Sequence, residues 1–177
     1  AGVDSMAMLH LLAGVQKIFY HHSRKLHLHV IHFDHRLREE GPREAEFVRS
    51  WAQKYGFPFH ARSWCNSHAL GPHGVPNTAR RWRQQECQAL LRSLDNSSAA
   101  EGSKSKKVIV TAHHSDDQVE TILLKILRGV HVTRMHGMLP SSACGHFIKP
   151  LLGCSKRVQM VYFEQQEQEQ EQEREQE

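Results

Sequence analysis

The sequence predicts an α/β protein with a doubly wound parallel sheet. Stretches whose apolar residues recur three and four positions apart alternate with short β-branched runs, as in chains that build parallel sheets. Two of these runs end in polar and charged residues, and ligands bind such sheets at the carboxyl ends of strands. The chain has 177 residues, which is enough for one domain with a buried core.

The first half of the chain is predicted to contain two helices and two strands. The first helix carries an apolar stripe at Met8, Leu11, Leu12 and Val15. A strand over 28–33 is followed by a second helix, which starts after Pro42 and ends at Gly56. A short strand is predicted over 57–62, before a loop rich in Gly and Pro over 66–77.

The second half repeats this alternation. A helix capped by residues 76–78 is predicted to bury Cys87, Leu90, Leu91 and Leu94. A polar connection over 95–107 leads to a strand at 108–110 and then to another helix. The apolar positions of that helix fall at helical spacing and predict one buried stripe, formed by Val119, Ile122, Leu123, Ile126 and Leu127.

The end of the chain has a different composition. Residues 164–177 are Glu and Gln apart from one Arg, so they cannot bury apolar surface and are expected to be disordered or, at most, an exposed helix. We therefore predict one folded domain over 1–163 and a low-complexity tail over 164–177. Residues 1–163 carry 22 basic and 12 acidic side chains, a net charge of +10 against +4 for the whole chain. This charge suits a polyanion such as RNA, although solubility alone would also explain it.

Cysteine usage argues against several kinds of site. The four cysteines are widely spaced and form no Cys-x-x-Cys pair; they are Cys65, Cys87, Cys144 and Cys154. This spacing is typical of unpaired thiols in a reducing compartment, not of a disulfide framework or a structural zinc site. The chain also has no run of eighteen apolar residues, so no membrane span is expected.

Two motifs have the composition of a ligand site. Residues 111–121 follow a β-branched run and hold two histidines and then Asp116 and Asp117 at a helix start. The two carboxylates have an ordinary interpretation as helix caps, but adjacent carboxylates repel each other unless a cation such as Mg²⁺ neutralises them. The second motif, residues 1–5, is a loop of small residues that opens a helix, which is typical of an anion site.

Together the two motifs resemble the N-type ATP pyrophosphatase (PP-loop) superfamily, whose phosphate loop reads Ser-Gly-Gly-x-Asp-Ser. Gly2, Asp4 and Ser5 match this pattern, and Ala1 stands where the family has a glycine. Further stretches are similar to tRNA(Ile)-lysidine synthetases, and these are residues 32–38, 79–83, 113–129 and 149–152. In that family a strand precedes the phosphate loop, so the first strand is expected to be missing and the chain to be incomplete at its N-terminus.

The resemblance implies an adenine nucleotide alpha hydrolase-like fold that uses ATP and Mg²⁺. It also implies roles for particular residues. ATP phosphates would be bound by Ala1, Gly2, Val3, Asp4 and Ser5. The catalytic residues would be Asp4, His113 and Asp117. The magnesium ligands would be Asp116 and Asp117. Contacts to tRNA or phosphate would come from His35, Arg38, Arg80, Arg83 and Arg128.

The implied reaction has two steps. The wobble cytidine of the isoleucine tRNA with a CAU anticodon attacks ATP and releases pyrophosphate, and free L-lysine then displaces AMP to form lysidine. The expected setting is a bacterial cytoplasm or a plastid, with a homodimer as one option. Two alternatives stay open: another PP-loop tRNA-modifying enzyme, such as a 2-thiolation enzyme, or a noncatalytic RNA-binding remnant. The thiolases typically carry Cys-x-x-Cys motifs, which this sequence lacks.

Overall fold

A computed structural model describes residues 2–22, 25–36, 39–64, 75–98, 106–142 and 145–175. The chain divides into two compact units. One unit, here the central unit, contains residues 26–107. The other, here the terminal unit, contains residues 2–25 together with 108–177.

The two kinds of element alternate as predicted. The α-helices in the described ranges are α1 (Val3–His21), α2 (Gly41–Lys54), α3 (Val75–Ser98), α4 (Ser115–Leu127) and α5 (Lys156–Glu175). The strands are β1 (Val30–Asp34), β2 (Phe59–Ser63), β3 (Ile109–Val110) and β4 (Phe147–Ile148). β1 pairs with β2 and β3 pairs with β4, in both cases parallel. The predicted α/β fold with parallel strands is therefore confirmed.

The central unit packs α2 against β1 and β2. Val48 and Ala52 of α2 are buried, and Gly56 ends the helix with a φ of +71°, a conformation that glycine adopts without strain. Helix α3 begins at Val75, so the residues expected to cap it, 76–78, lie inside its first turn instead. Proline suits that turn because it needs no N–H donor there.

The prediction that α3 buries four apolar residues is confirmed for two of them. Cys87 and Leu90 are buried, whereas Leu91 and Leu94 are half-buried. In the terminal unit, α1 and α5 pack together and contribute most of the core. The buried side of α1 is formed by Met6, Ala7, Met8, Leu9, His10 and Ala13. Gln159 and Phe163 of α5 are buried as well. The Phe163 ring packs edge-on against the His10 ring, with the two ring centroids 5.2 Å apart.

The predicted buried stripe of α4 is wrong. Val119, Leu123, Ile126 and Leu127 are exposed, and no residue of the helix is buried. The periodicity correctly gives a helix, but burial also requires a neighbouring surface. β3 and β4 are only two residues long, so their sheet has no face wide enough to cover a helix of 13 residues.

The expectation of a disordered tail is also corrected. Helix α5 continues to Glu175, and the described side chains of its Glu/Gln part, Glu164, Gln165 and Gln168, are exposed. Glu and Gln have good helix propensity, and the first turns of α5, which bury Gln159 and Phe163, provide the nucleus from which the helix extends. The alternative expectation of an exposed helix is confirmed. None of the described helices is both long and apolar enough to cross a bilayer.

We predict that Cys87 is chemically inert in the folded protein. Cys87 and Cys154 are free thiols, whereas Cys65 and Cys144 lie outside the described residues. Burial raises the pKa of the Cys87 thiol to about 11, so at neutral pH it lacks the thiolate form that reacts. Iodoacetamide labelling followed by peptide mass mapping should modify Cys87 only after unfolding. Equal labelling rates in the native and the urea-unfolded protein would contradict this.

We also predict that acid destabilises the central unit. Nδ1 of His29 lies 3.0 Å from Nε2 of His60. Burial lowers the pKa of both imidazoles; His60 and His27 lower that of His29 further, and Arg62 lowers that of His60. The folded state therefore binds fewer protons than the unfolded state below pH 6.5, the ordinary pKa of histidine.

This contribution to stability is complete above that pH and is lost as pH falls toward the lowered pKa values of the folded state. The urea midpoint should accordingly fall between about pH 7.5 and pH 5.5. His60→Gln should make the fall smaller. An unchanged pH dependence in that variant would contradict the assignment.

Candidate functional site

The start of α4 holds the paired aspartates, as predicted. His114 is the N-cap residue, and its main-chain N–H donates to Oδ2 of Asp117 at 2.9 Å. In return, Nδ1 of His114 accepts the main-chain N–H of Asp117 at 3.4 Å. This reciprocal arrangement is a capping box, and it satisfies two donors that the helix start would otherwise leave without partners.

The start of α1 has no such side-chain cap. Gly2 is the N-cap residue, and its carbonyl accepts the N–H groups of Ser5 and Met6 at 3.1 and 3.2 Å. The φ of Gly2 is −73°, which any residue adopts, so glycine is not needed for the backbone. A Cβ placed there would meet no atom within 4 Å, which leaves open space beside the helix start. A helix start of this kind favours an anionic ligand.

The two helix starts meet at one imidazole. Nε2 of His114 lies 3.7 Å from Oδ1 of Asp4, and Nδ1 lies 3.6 Å from Oδ2 of Asp117. Because Nδ1 accepts the amide of Asp117, the proton of a neutral imidazole sits on Nε2, on the side of Asp4. His114 is only 6% exposed. The segment 2–5 that opens α1, here the glycine turn, and the start of α4 with Asp116 and Asp117 therefore lie together in the terminal unit.

His114 is a site residue that the sequence interpretation missed. The capping-box spacing, with an aspartate three residues later, was the signal that distinguished it from its neighbour. His113, the predicted catalytic histidine, is half-buried and places its Nδ1 2.9 Å from Oγ1 of Thr111. Its catalytic role stays a prediction.

The carboxylates differ in how well they suit Mg²⁺. Oδ1 of Asp4 is buried, and no donor in the described part of the chain bonds to it. Such an oxygen suits a cation, and Asp117 faces the same imidazole. Asp116 instead accepts the Ser115 hydroxyl at 3.2 Å and the main-chain N–H of Lys156 at 3.3 Å. Within the described ranges no three His, Cys, Asp or Glu side chains are grouped as a metal site. Mg²⁺ commonly needs only one or two carboxylates together with substrate phosphates.

The predicted phosphate contacts fall in both units. In the central unit, the His35 ring lies 5.4 Å from that of Trp82; burial and then the charge of Arg83 lower the pKa of His35. Burial and then the charge of Arg80 lower the pKa of Arg83, so His35, Arg80 and Arg83 form one cluster, here the cationic cluster, whose positive charge comes from the two arginines. Arg128 lies in the terminal unit, at the opposite end of α4 from Asp116 and about 18 Å along the helix axis. Arg38 and Ala1 lie outside the described residues.

A cleft of about 520 Å³ opens at the carboxyl ends of β1 and β2. Its polar lining includes His32, Asp34, Arg36 and Ser63. Oδ1 of Asp34 accepts the main-chain N–H of Arg36 at 2.8 Å, which holds the chain in a tight turn as it leaves β1. The expectation of polar groups at this strand end is confirmed.

Comparison with known proteins gives a consistent result. A family model described as a PP-loop domain matches residues 1–174. The tRNA(Ile)-lysidine synthase of Streptococcus thermophilus is 30% identical over 168 residues, covering 94% of this chain and 35% of that protein. The protein of the same name from Lactiplantibacillus plantarum is 31% identical over 173 residues, covering 92% of this chain and 35% of that protein. The chain thus spans about a third of the length of these relatives.

A solved structure has a similar fold. It is the U34-tRNA thiolase NcsA from Methanococcus maripaludis with its [4Fe-4S] cluster, with a TM-score of 0.63 and 13% sequence identity. The match covers 94% of this chain and 54% of that one. At this identity the likeness concerns the fold alone.

Proposed function

Because this chain belongs to the PP-loop domain family, we propose that it is the ATP-using part of a tRNA(Ile)-lysidine synthetase. The relatives of that name, at 30–31% identity, support the substrate assignment. The observation that carries the chemistry is the position of His114 between Asp4 and Asp117. It brings a helix start suited to phosphate and two carboxylates suited to Mg²⁺ to the same place.

ATP phosphates bind at the start of α1 in this proposal. The main-chain N–H groups of the first turn and the Ser5 hydroxyl donate to phosphate oxygens, and the open space beside Gly2 admits them. Asp4 and Asp117 would hold Mg²⁺, which would supply a positive charge next to the phosphates. His114 lies between the two carboxylates and directs its Nε2 proton toward Asp4.

The proposed substrates are the isoleucine tRNA with a CAU anticodon and free L-lysine. The C2 carbonyl oxygen of the wobble cytidine attacks the α-phosphorus, pyrophosphate leaves, and the ε-amine of lysine then displaces AMP. The cationic cluster of His35, Arg80 and Arg83 is proposed to bind tRNA phosphates, and Arg128 and Arg38 are further candidates. We further propose that the protein forms a homodimer and that it works in a bacterial cytoplasm or a plastid.

The test uses the full-length protein with ATP, Mg²⁺, radiolabelled lysine and the isoleucine tRNA. Label should enter the tRNA, pyrophosphate release should require the tRNA, and AMP release should require lysine as well. The matched control is the same tRNA with uridine at the wobble position, which should take up no label. Asp117→Ala should abolish incorporation.

Other outcomes distinguish the alternatives. AMP formation with the wobble-uridine tRNA, and no lysine incorporation, would indicate a different PP-loop enzyme. Retention of tRNA binding in Asp117→Ala, with no AMP formed by the unmodified protein under any condition, would indicate an RNA-binding protein. Either result would reject the lysidine assignment.

A further inference from the structure

Two segments about forty residues apart are joined beside the candidate site. The main-chain N–H of Ser115 donates to the carbonyl of Cys154 at 2.9 Å, and the main-chain N–H of Lys156 donates to Oδ2 of Asp116 at 3.3 Å. The second oxygen of Asp116 accepts the Ser115 hydroxyl at 3.2 Å. Both oxygens of this carboxylate are therefore engaged by the protein itself.

The bond from Lys156 makes Asp116 a cap of α5. Lys156 is the first residue of that helix, whose opening N–H groups have no partners within the helix. Ser155 provides the local cap, because its hydroxyl accepts the N–H of Val158 at 3.4 Å. Asp116 adds a second acceptor, with a negative charge that the positive end of the helix dipole favours. It thereby ties the start of α5 to the start of α4.

Helix α5 in turn lies along α1. Phe163 comes seven residues after Lys156, and His10 comes seven residues after Val3, so their ring contact is about 10 Å from each helix start. Both helices also begin beside the start of α4, since Asp4 of α1 faces His114 and Lys156 of α5 donates to Asp116. A shift of α5 along its axis would be passed to α1 through this buried contact, because packed cores do not deform freely. The segment 2–5, which opens α1, would move with it.

We propose that Asp116 is a positioning residue that fixes the glycine turn through α5, and that it is not a magnesium ligand. It holds the start of α5, α5 holds α1, and α1 sets Asp4 opposite His114. This role rests on the proposed function only where ATP binding is measured. The link between the starts of α1, α4 and α5 needs no ligand and can be tested without one.

The experiment uses two matched pairs of variants in the full-length protein. Asp116→Asn keeps an oxygen acceptor for α5, and Asp116→Ala removes it. Lys156→Pro removes the N–H donor together with the lysine side chain, at a position where helices accept proline, and Lys156→Ala removes the side chain but keeps that donor. Hydrogen exchange is measured on the amides of residues 157–160 and 5–9, without nucleotide. ATP affinity and the Mg²⁺ concentration for half-maximal pyrophosphate release are measured alongside.

We expect Asp116→Ala and Lys156→Pro to speed exchange in both segments and to weaken ATP binding, each by about five- to tenfold. Asp116→Asn and Lys156→Ala should behave like the unmodified protein, with an unchanged Mg²⁺ requirement. The double variant Asp116→Ala, Lys156→Pro should be no worse than either single variant, because both remove the same bond.

Three results would overturn the proposal. The first is a raised Mg²⁺ requirement in Asp116→Asn, which would make the residue a metal ligand. The second is unchanged exchange over 5–9 in Asp116→Ala and Lys156→Pro, and the third is additive effects in the double variant. If the unmodified protein binds no ATP, the proposed function fails, and the exchange measurements still decide the positioning role.

Discussion

His114→Asn is expected to leave the protein folded and to lower tRNA-dependent pyrophosphate release about a hundredfold. Asparagine is among the best N-cap residues, so its side-chain oxygen can replace Nδ1 as the acceptor of the Asp117 amide. Its shorter side chain cannot also reach Asp4, which lies 3.7 Å from Nε2. The variant therefore keeps the cap and loses the contact from residue 114 to Asp4.

Two further variants make this result specific. His114→Ala should lose the same activity and, in addition, about 1 kcal/mol of stability, because the cap is removed as well. His131→Asn is the matched control: His131 also caps a helix, the 3₁₀ helix Val132–Arg134, by accepting the N–H of Thr133, and it is exposed. That variant should remain fully active. Full activity in His114→Asn would show that the imidazole is only a cap.

The second large effect is expected for Asp4→Asn, which should lower pyrophosphate release by about two orders of magnitude or more without lowering Tm. The change is nearly isosteric and removes the negative charge. Since no described donor bonds to Oδ1 of Asp4, the amide loses no hydrogen bond in the protein at that atom. Under the proposed function, what it would lose is the ability to hold a cation beside the phosphates.

The control for this variant is Asp95→Asn. Asp95 is an exposed carboxylate that pairs with Lys107 at 2.5 Å, and surface ion pairs of this kind contribute little. The activity and Tm of Asp95→Asn should match those of the unmodified protein. The assignment of Asp4 would be rejected if Asp4→Asn kept its activity, or if it unfolded and so lost activity for a structural reason. Thermal unfolding and pyrophosphate release are measured on the same samples.

Much of the site could be predicted because its signals are local. Helix starts, capping spacing and β-branched runs depend on neighbours within a few residues, and they placed Asp4 and Asp117 at the beginnings of two helices. The resemblance implied His113 as the catalytic histidine, whereas it is His114 that lies between Asp4 and Asp117. The capping box places His114 there, because its geometry selects the residue three before Asp117.

Burial was predicted less well because it depends on what lies opposite. The spacing of the apolar residues in α4 is helical, yet Leu123 and Leu127 are exposed, since β3 and β4, the described strands of the same unit, are too short to cover them. The same residue types in α3 are partly buried, and that helix packs on the central unit through Trp82, whose ring centroid lies 5.3 Å from that of Phe33 in β1. Periodicity thus gives the type of element, and only the tertiary partners give its environment.

The capping box at the start of α4 links folding and ligand binding through shared atoms. The carboxylate that stabilises the first turn of the helix is also one of the two that face His114. Fraying of that single turn would therefore separate His114 from Asp4 and Asp117 while the rest of the terminal unit stayed intact. Conversely, any cation or nucleotide that engages these groups should suppress the fraying, so occupancy and local helical order rise and fall together.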